Sequence, residues 1–212
     1  MNASTEERAL REEFARQGAV LYARGLASGS AGNMSVLAPD GSIIVTPTGT
    51  CLGRLDPDYL SKVDMQGRLI DGPKPTKEAA FHAAILRNNP SIKAIVHLHS
   101  TYSTALACLK DLDPEDAIKP FTPYIVMKLG KIQVVPYYKP GSPKLAEELA
   151  ARAAGHKGWL LANHGCVVGG KDLNNAVCNA EELEATAKLF FVLNPMRDRI
   201  RYLTDGEIAE LS

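Results

Sequence analysis

The segment that most constrains the fold of this chain is the apolar run IKAIVHLHS at residues 92–100. Such a run is typical of a buried strand, in which alternate side chains lie on the same face. His97 and His99 therefore share one face, while Val96 and Leu98 share the other. Two imidazoles in this arrangement suit zinc or another borderline divalent cation. A pair of hydrogen-bonded core histidines is the alternative that the residues leave open.

His164 is the candidate for a third ligand. It follows the apolar run GWLL, in the sharp turn ANHG, where a loop at the edge of a sheet can approach the first pair. Two buried imidazoles repel when both are charged, whereas a metal binds them in the neutral form. We assign neither His82, in a predicted helix, nor His156, in a predicted loop, to the site.

The pattern on either side of this strand predicts an α/β fold. Asp40-Gly41 separates two β-rich runs and is the dipeptide expected in a tight hairpin turn. Two further short strands are expected around Gln66-Gly67, and Thr76 is a plausible N-cap for the helix that follows. Hairpins mixed with helices favour a largely antiparallel sheet with helices on its faces. Helices are expected at about residues 4–26, 77–88, 101–109, 143–154 and 172–194, and further strands at 131–138 and 158–165.

Composition restricts the class of partner. The 212 residues fit one domain, residues 1–212, and contain 24 basic and 24 acidic side chains. This balance does not favour nucleic acid or an acidic membrane, and a small molecule is the expected partner. The four cysteines are scattered, which indicates reduced thiols. No signal peptide or membrane-spanning run is evident, so a cytoplasmic protein is expected.

Three segments, SAGNMS, TPTGT and PTKE, are suited to binding a phosphate group. Their small residues allow backbone N–H groups to approach an anion closely, and a helix start adds further donors. Lys77 could supply a full positive charge, and Glu78 near a metal becomes a candidate proton carrier. Taken singly, each cluster is more often a plain turn, and Glu78 an ordinary acid in the first turn of a helix.

These motifs, together with HLHS and ANHG, resemble the class II aldolase/adducin family in order and approximate spacing over about residues 7–193. The resemblance implies a three-layer α/β/α fold with a mainly antiparallel central sheet. It also implies a homotetramer with active sites at the subunit boundaries. By the same resemblance, zinc, or else manganese or cobalt, is held by His97, His99 and His164, with Glu78 as acid/base able to approach the metal. The implied phosphate ligands are Gly32, Asn33, Thr48, Gly49, Thr76 and Lys77.

Two features are similar to one branch of that family, the 3-oxo-tetronate 4-phosphate decarboxylases. Typical aldolases have two small hydroxyl residues before the catalytic acid, whereas the second is Lys77 here, and TPYIVMKLG follows an acid-rich loop. Tyr124 corresponds to a tyrosine that donates a proton across the subunit interface. Lys128, one helical turn later, is a candidate ligand for the substrate carboxylate, or a solvated surface lysine.

The resemblance therefore predicts a carbon–carbon lyase that forms dihydroxyacetone phosphate and carbon dioxide through an enediolate. A sugar-phosphate aldolase or a pentulose-phosphate epimerase is the alternative, because both chemistries use the same fold and metal. A non-catalytic adducin-like module is expected to have lost metal ligands. All three histidines and Glu78 are present here.

Overall fold

The computed structural model describes residues 3–211, which form helices on a single sheet. The helices are α1 (Ala3–Ala23), α2 (Ala79–Asn88), α3 (Thr101–Ala107), α4 (Pro123–Lys128), α5 (Pro143–Arg152), α6 (Leu173–Leu193) and α7 (Asp205–Ala209). The strands are β1 (Asn33–Leu37), β2 (Ile43–Val45), β3 (Ser61–Val63), β4 (Leu69–Asp71), β5 (Ala94–Leu98), β6 (Ile132–Val135), β7 (Gly158–Leu161) and β8 (Gly165–Gly170). Short 3₁₀ turns occupy Leu52–Arg54, Pro57–Tyr59 and Asn194–Arg199.

The sheet has the strand order β4-β3-β2-β1-β5-β8-β7-β6. The β1–β2 and β3–β4 hairpins were expected from the sequence, and both are present and antiparallel. At the other edge, β6 and β7 pair in parallel, because α5 makes a crossover between them. The sheet is therefore mixed, and the expectation of a mainly antiparallel sheet is corrected at this edge.

Side chains from opposite faces of the sheet enter two separate hydrophobic clusters. On β5, Val96 and Leu98 join the cluster that contains residues of α1, α3, α4 and α6. Ile95 joins the other cluster, which contains residues of α2 and α5. His97 lies two residues after Ile95 on the same strand, so its imidazole faces the side of the sheet on which α2 packs.

Two local features differ from the sequence-based expectations. Strand β8 was not predicted, although it lies between β5 and β7 in the sheet. Helix α2 begins at Ala79, and the residue before it is Glu78 rather than Thr76. Thr76 instead donates its N–H to Thr46 O and accepts a side-chain hydrogen bond from Glu78 N at 3.3 Å. Glu78 is thus fixed at the junction between this segment and α2.

Within residues 3–211, no helix is both long and apolar enough to cross a membrane.

Candidate metal centre

Three imidazoles converge at the end of β5. His97 is the penultimate residue of β5, His99 follows the strand directly, and His164 lies in the turn between β7 and β8. One ring nitrogen from each lies within 4.8 Å of the others, and Nε2 of His97 and Nε2 of His99 are 3.1 Å apart. The contact that spacing alone left open, between His164 and the HxH pair, is therefore present in the structure.

The turn that carries His164 depends on its two neighbours. Asn163 adopts a left-handed backbone conformation with φ of 56°, which asparagine tolerates better than most residues. At Gly165, a Cβ would overlap Leu98 O and would lie 3.0 Å from His99 Cδ2. Glycine therefore lets β8 approach the end of β5, so that His164 meets His99.

Burial keeps the three histidines in the form that binds a metal. Desolvation lowers the pKa of His97 well below its ordinary value, and His164 and His99 shift it further in the same direction. Desolvation likewise lowers the pKa of His99 and of His164; the negative charge of Glu78 opposes this shift, and the positive charge of Lys77 adds to it. Neutral imidazoles keep a lone pair for coordination.

The buried polar atoms of this group fit a bound cation. His97 Nδ1 donates to Cys166 O at 2.8 Å, so its Nε2 presents a lone pair to the other histidines. Glu78 Oε1, which lies 3.6 Å from His164 Nε2, is buried without a hydrogen-bond partner among the described residues. Three neutral nitrogen donors facing one point are a donor set typical of zinc, and they match other borderline divalent ions as well.

Glu78 lies against this group. Its Oε2 is 3.4 Å from His97 Nε2, its Oε1 is 3.6 Å from His164 Nε2, and the residue is 4% exposed. Oε2 also accepts a hydrogen bond of 2.8 Å from Asn33 Nδ2. The carboxylate predicted as the acid/base is thus held within reach of the metal ligands.

The predicted phosphate residues line one cavity of about 330 Å³ together with His99, His164 and Glu78. Gly49 has a φ of 74° and open space where a Cβ would lie. Gly32 has a φ of 83°, and a Cβ there would lie 2.9 Å from His97 O, so only glycine fits this approach to β5. All six residues named from the sequence belong to the lining: Gly32, Asn33, Thr48, Gly49, Thr76 and Lys77.

Tyr124 and Lys128 do not lie in this cavity of their own chain. Both belong to α4, as the sequence pattern predicted, but Tyr124 is 59% exposed. Lys128 Nζ is 3.3 Å from Glu182 Oε2 of α6 and lines a different depression. Within one chain, Lys128 is therefore an ion-pair partner of α6 rather than a ligand of the metal cavity.

His82 contacts the site, although the sequence analysis left it out. Its ring is fully buried and lies between Asn33 Oδ1, at 2.6 Å from Nε2, and Ser35 Oγ, at 2.7 Å from Nδ1. The signal that could have found it is its position four residues after Glu78, because such positions lie on the same face of a helix.

Fold and site together define the class of protein. The sequence matches the profile of the Class II Aldolase and Adducin N-terminal domain over residues 12–191. The chain therefore belongs to the class II aldolase and adducin family.

Relatives within the family are similar over nearly the whole length. The chain is 58% identical, over 99% of its length and 94% of the relative, to a 3-oxo-tetronate 4-phosphate decarboxylase of Pectobacterium atrosepticum. An L-fuculose phosphate aldolase of Methanococcus maripaludis is 38% identical, over 87% of this chain and 98% of that one. The crystal structure of YgbL from Klebsiella pneumoniae superimposes with a TM-score of 0.94 at 54% identity, covering 97% of this chain and 99% of that chain.

Proposed function

We propose that this chain is a metal-dependent carboxy-lyase that converts a 3-oxo-tetronate 4-phosphate to dihydroxyacetone phosphate and carbon dioxide. The observation that carries the proposal is the identity of 58% to a decarboxylase of that substrate, which extends over 99% of the chain. Identity to an L-fuculose phosphate aldolase is lower, at 38% over 87% of the chain. Two imidazoles of the three-histidine group, a carboxylate and a lysine line the cavity, and such a reaction needs these groups.

We propose that His97, His99 and His164 hold a divalent cation, with zinc as the native ion and manganese or cobalt as alternatives. A cation held there supplies Lewis acidity for the negative charge that develops on a substrate ketone oxygen. Elemental analysis of protein purified without added metal tests the choice of ion. About one zinc per chain is expected, and H97A is expected to lose it while the chain remains folded.

The substrate has two anionic ends, and the cavity has two kinds of group that suit an anion. Lys77 carries a full charge and lies close enough to the histidines to lower their pKa values, after the larger effect of burial. Thr76 Oγ1 already accepts a hydrogen bond from Glu78 N, which leaves its hydroxyl proton for donation to an anion. We propose that the loops around Gly32, Thr48 and Gly49 bind the phosphate with Thr76 and Lys77.

Glu78 is the proposed acid that completes the reaction. When the bond between C1 and C2 breaks, carbon dioxide leaves and the electron pair remains on C2, from which it spreads to the oxygen on C3. Glu78, in its protonated form, donates a proton to C2 of this enediolate and then regains one from solvent. The product is dihydroxyacetone phosphate, and one proton is consumed for each carbon dioxide released.

A parallel assay of two products tests the function. Zinc-loaded protein is given 3-oxo-tetronate 4-phosphate, L-fuculose 1-phosphate and L-ribulose 5-phosphate in separate reactions, and carbon dioxide and aldehyde are measured. Release of carbon dioxide from the first substrate is expected, and H97A, which lacks one proposed ligand, is the matched control. Aldehyde release from fuculose phosphate without carbon dioxide release would instead make the chain an aldolase, and conversion of ribulose phosphate would indicate an epimerase.

We propose further that the protein assembles as a homotetramer in which Tyr124 serves the cavity of a neighbouring chain. Tyr124 and Met127 on α4, and Val192 near the end of α6, are each more than half exposed, at 59%, 56% and 55%. Large apolar side chains so exposed are common at subunit interfaces. Light scattering should give four times the chain mass, and Y124F should lower kcat while the mass is unchanged.

A further inference from the structure

We propose that His82 is a positioning residue that orients the Asn33 amide and thereby holds Glu78 against the metal-binding histidines. The inference rests on the proposed function only for the catalytic role of Glu78. Its structural basis is a continuous chain of hydrogen bonds that the proposed reaction does not otherwise use.

This series of hydrogen bonds runs from His82 on α2 to Asn33 on β1, and from there to Glu78, the residue before α2. His82 Nε2 lies 2.6 Å from Asn33 Oδ1, and Asn33 Nδ2 lies 2.8 Å from Glu78 Oε2. The other ring nitrogen, His82 Nδ1, is 2.7 Å from Ser35 Oγ. Asn33 and Ser35 are alternate residues of β1, so both side chains face α2.

The donors and acceptors in this chain fit only one arrangement. A carboxylate oxygen that carries no proton only accepts hydrogen bonds, so Asn33 presents its Nδ2 to Glu78 Oε2, and the proton that Glu78 donates in the proposed reaction belongs on Oε1. Asn33 Oδ1 then faces His82 and accepts a proton that Nε2 must carry. His82 Nδ1 is consequently the unprotonated nitrogen and accepts from the Ser35 hydroxyl. With the ring in this tautomer, an Asn33 amide turned the other way would place its N–H group against the Nε2–H of His82 and its oxygen against Glu78 Oε2, and both hydrogen bonds would be lost.

The surroundings of His82 keep it in this form. Burial is the main cause that lowers the pKa of His82 to about 3, so the ring stays neutral at physiological pH. The Phe81 ring stacks on it with centroids 4.6 Å apart and planes inclined by 13°. A neutral ring held in one plane offers Asn33 a single donor in a fixed direction.

The consequence for Glu78 is that its two oxygens differ. Oε2 is anchored by Asn33, whereas Oε1 has no hydrogen-bond partner among the residues described and lies 3.6 Å from His164 Nε2. The anchored carboxylate thus directs its free oxygen at the site where substrate and metal would meet. Asn33 Oδ1 and one of the two Nδ2 hydrogens are engaged, so the other Nδ2 hydrogen and the backbone N–H are the Asn33 donors left for a phosphate.

Two substitutions of His82 and one control test the role in catalysis. H82F keeps the ring volume but removes the donor to Asn33, and it should lower kcat by about 10- to 100-fold, the range usual for outer partners of active-site groups. KM and zinc content should be nearly unchanged. H82Q retains an N–H that can reach Asn33 Oδ1 and should recover most of the loss. S35A removes only the partner of Nδ1 and should leave kcat within about threefold of wild type.

A measurement without substrate separates this inference from the proposed function. In protein labelled with ¹⁵N-histidine, the signals that vanish in H82F should be those of a neutral ring protonated at Nε2. A ring protonated at Nδ1 would overturn the inference, as would H82F with wild-type kcat. If H82F does not fold, the protonated nitrogen of His82 and the kcat of H82Q decide. Absence of carbon dioxide release by the wild type would refute the proposed function and leave the ring measurement valid.

Discussion

At the scale of single residues, the site concentrates buried groups that are costly without a cation. Glu78 and His97 are 4% and 0% exposed, and Glu78 Oε1 has no hydrogen-bond partner among the described residues. A buried polar atom left unpaired costs about 1–3 kcal/mol. A divalent ion among the three imidazoles would offset much of this cost, because it attracts both the nitrogen lone pairs and the carboxylate.

The neutral state of His82 predicts how stability depends on pH in the metal-free protein. Its pKa is lowered, chiefly by burial, to about 3 from an ordinary value of 6.5. Between pH 6.5 and about pH 3, His82 is protonated in the unfolded chain and neutral in the folded one. The neutral ring therefore contributes its full share to stability above pH 6.5, and this contribution is lost as pH falls toward about 3. In urea unfolding with chelator, wild type should lose up to about 1.4 kcal/mol per pH unit more than H82F below pH 6. Parallel slopes for the two proteins would contradict a neutral buried ring.

Gly165 predicts that one added methyl group disturbs the metal site. A Cβ at this position would overlap Leu98 O and press on His99, so β8 would have to move from the end of β5. G165A should lower the unfolding free energy by about 1–3 kcal/mol and weaken zinc binding, measured by competition with a chromogenic chelator. G206A is the control, because a Cβ there would come no closer than 4.0 Å to a described side chain, that of Thr204. Unchanged zinc affinity in G165A would show that His99 tolerates the shift.

At the scale of secondary structure elements, the site lies where three segments end. Strand β5 supplies His97, the loop between β7 and β8 supplies His164, and the segment that leads into α2 supplies Glu78. Helix α3 begins two residues after His99, and Glu184 of α6 accepts hydrogen bonds from Tyr102 N and Ser103 N at its first turn. A carboxylate in this position satisfies N–H groups that a helix start leaves unpaired.

The contact of Glu184 with α3 predicts a structural effect that reaches the metal. E184Q keeps the shape of the side chain but removes the charge and one acceptor, and it should lower stability by about 1–3 kcal/mol. The start of α3 should then be less well fixed, which weakens zinc binding through His99. E182Q is the matched control on the same helix, because its carboxylate pairs with a partly exposed lysine, Lys128. A loss in E182Q as large as that in E184Q would contradict a specific role of the helix start.

How much the sequence could predict differs between these elements. The β1–β2 hairpin and β5 have strong periodic signals, and both were predicted. Strand β8 was missed because three of its six residues are glycine, which weakens a strand signal. The packing explains all three, since a Cβ would overlap Leu98 O at Gly165, Ile92 at Gly169 and the backbone of Ala176 at Gly170. Such close approaches depend on tertiary structure and have no local signature.

The same limit applies to the site. Alternation along β5 was enough to pair His97 with His99, because the two are neighbours in sequence. The link from Asn33 to Glu78 and His82 joins positions 45 and 49 residues apart, and it exists only because β1 lies beside β5 under α2. The side chain of Asn33, taken from the resemblance as a phosphate ligand, is therefore engaged in a way that motif spacing does not show.

At the scale of the whole molecule, the cavity beside the three histidines is separate from a larger cavity. The latter, of about 610 Å³, lies between α4 and the C-terminal segment and includes Ile125, Lys131 and Tyr202. Neither the three clustered histidines nor the predicted phosphate ligands line this cavity, so cavity size does not indicate where the reaction takes place. The neutral, converging donors near Glu78 identify the functional cavity better than its volume does.

Metal binding should therefore be measurable as stability of the entire fold. His97 and His99 lie at the end of β5 and His164 lies in the β7–β8 turn, so a cation that joins them binds the folded chain and has little affinity for the unfolded one. Free metal at about 100 times its dissociation constant adds about 2.7 kcal/mol to the unfolding free energy. Removal of the bound metal by a chelator should lower Tm, and added zinc should restore the original Tm.

The control for this experiment is H164A, which removes one ligand at a turn and leaves β5 intact. Its Tm should respond little to zinc or to chelator, whereas H156A, which removes a loop histidine outside the group, should respond as wild type does. This pair also detects metal bound elsewhere, because such binding would persist in H164A. If chelator lowers Tm equally in wild type and H164A, the stabilising ion is not held by His164, and the three-histidine site loses its support.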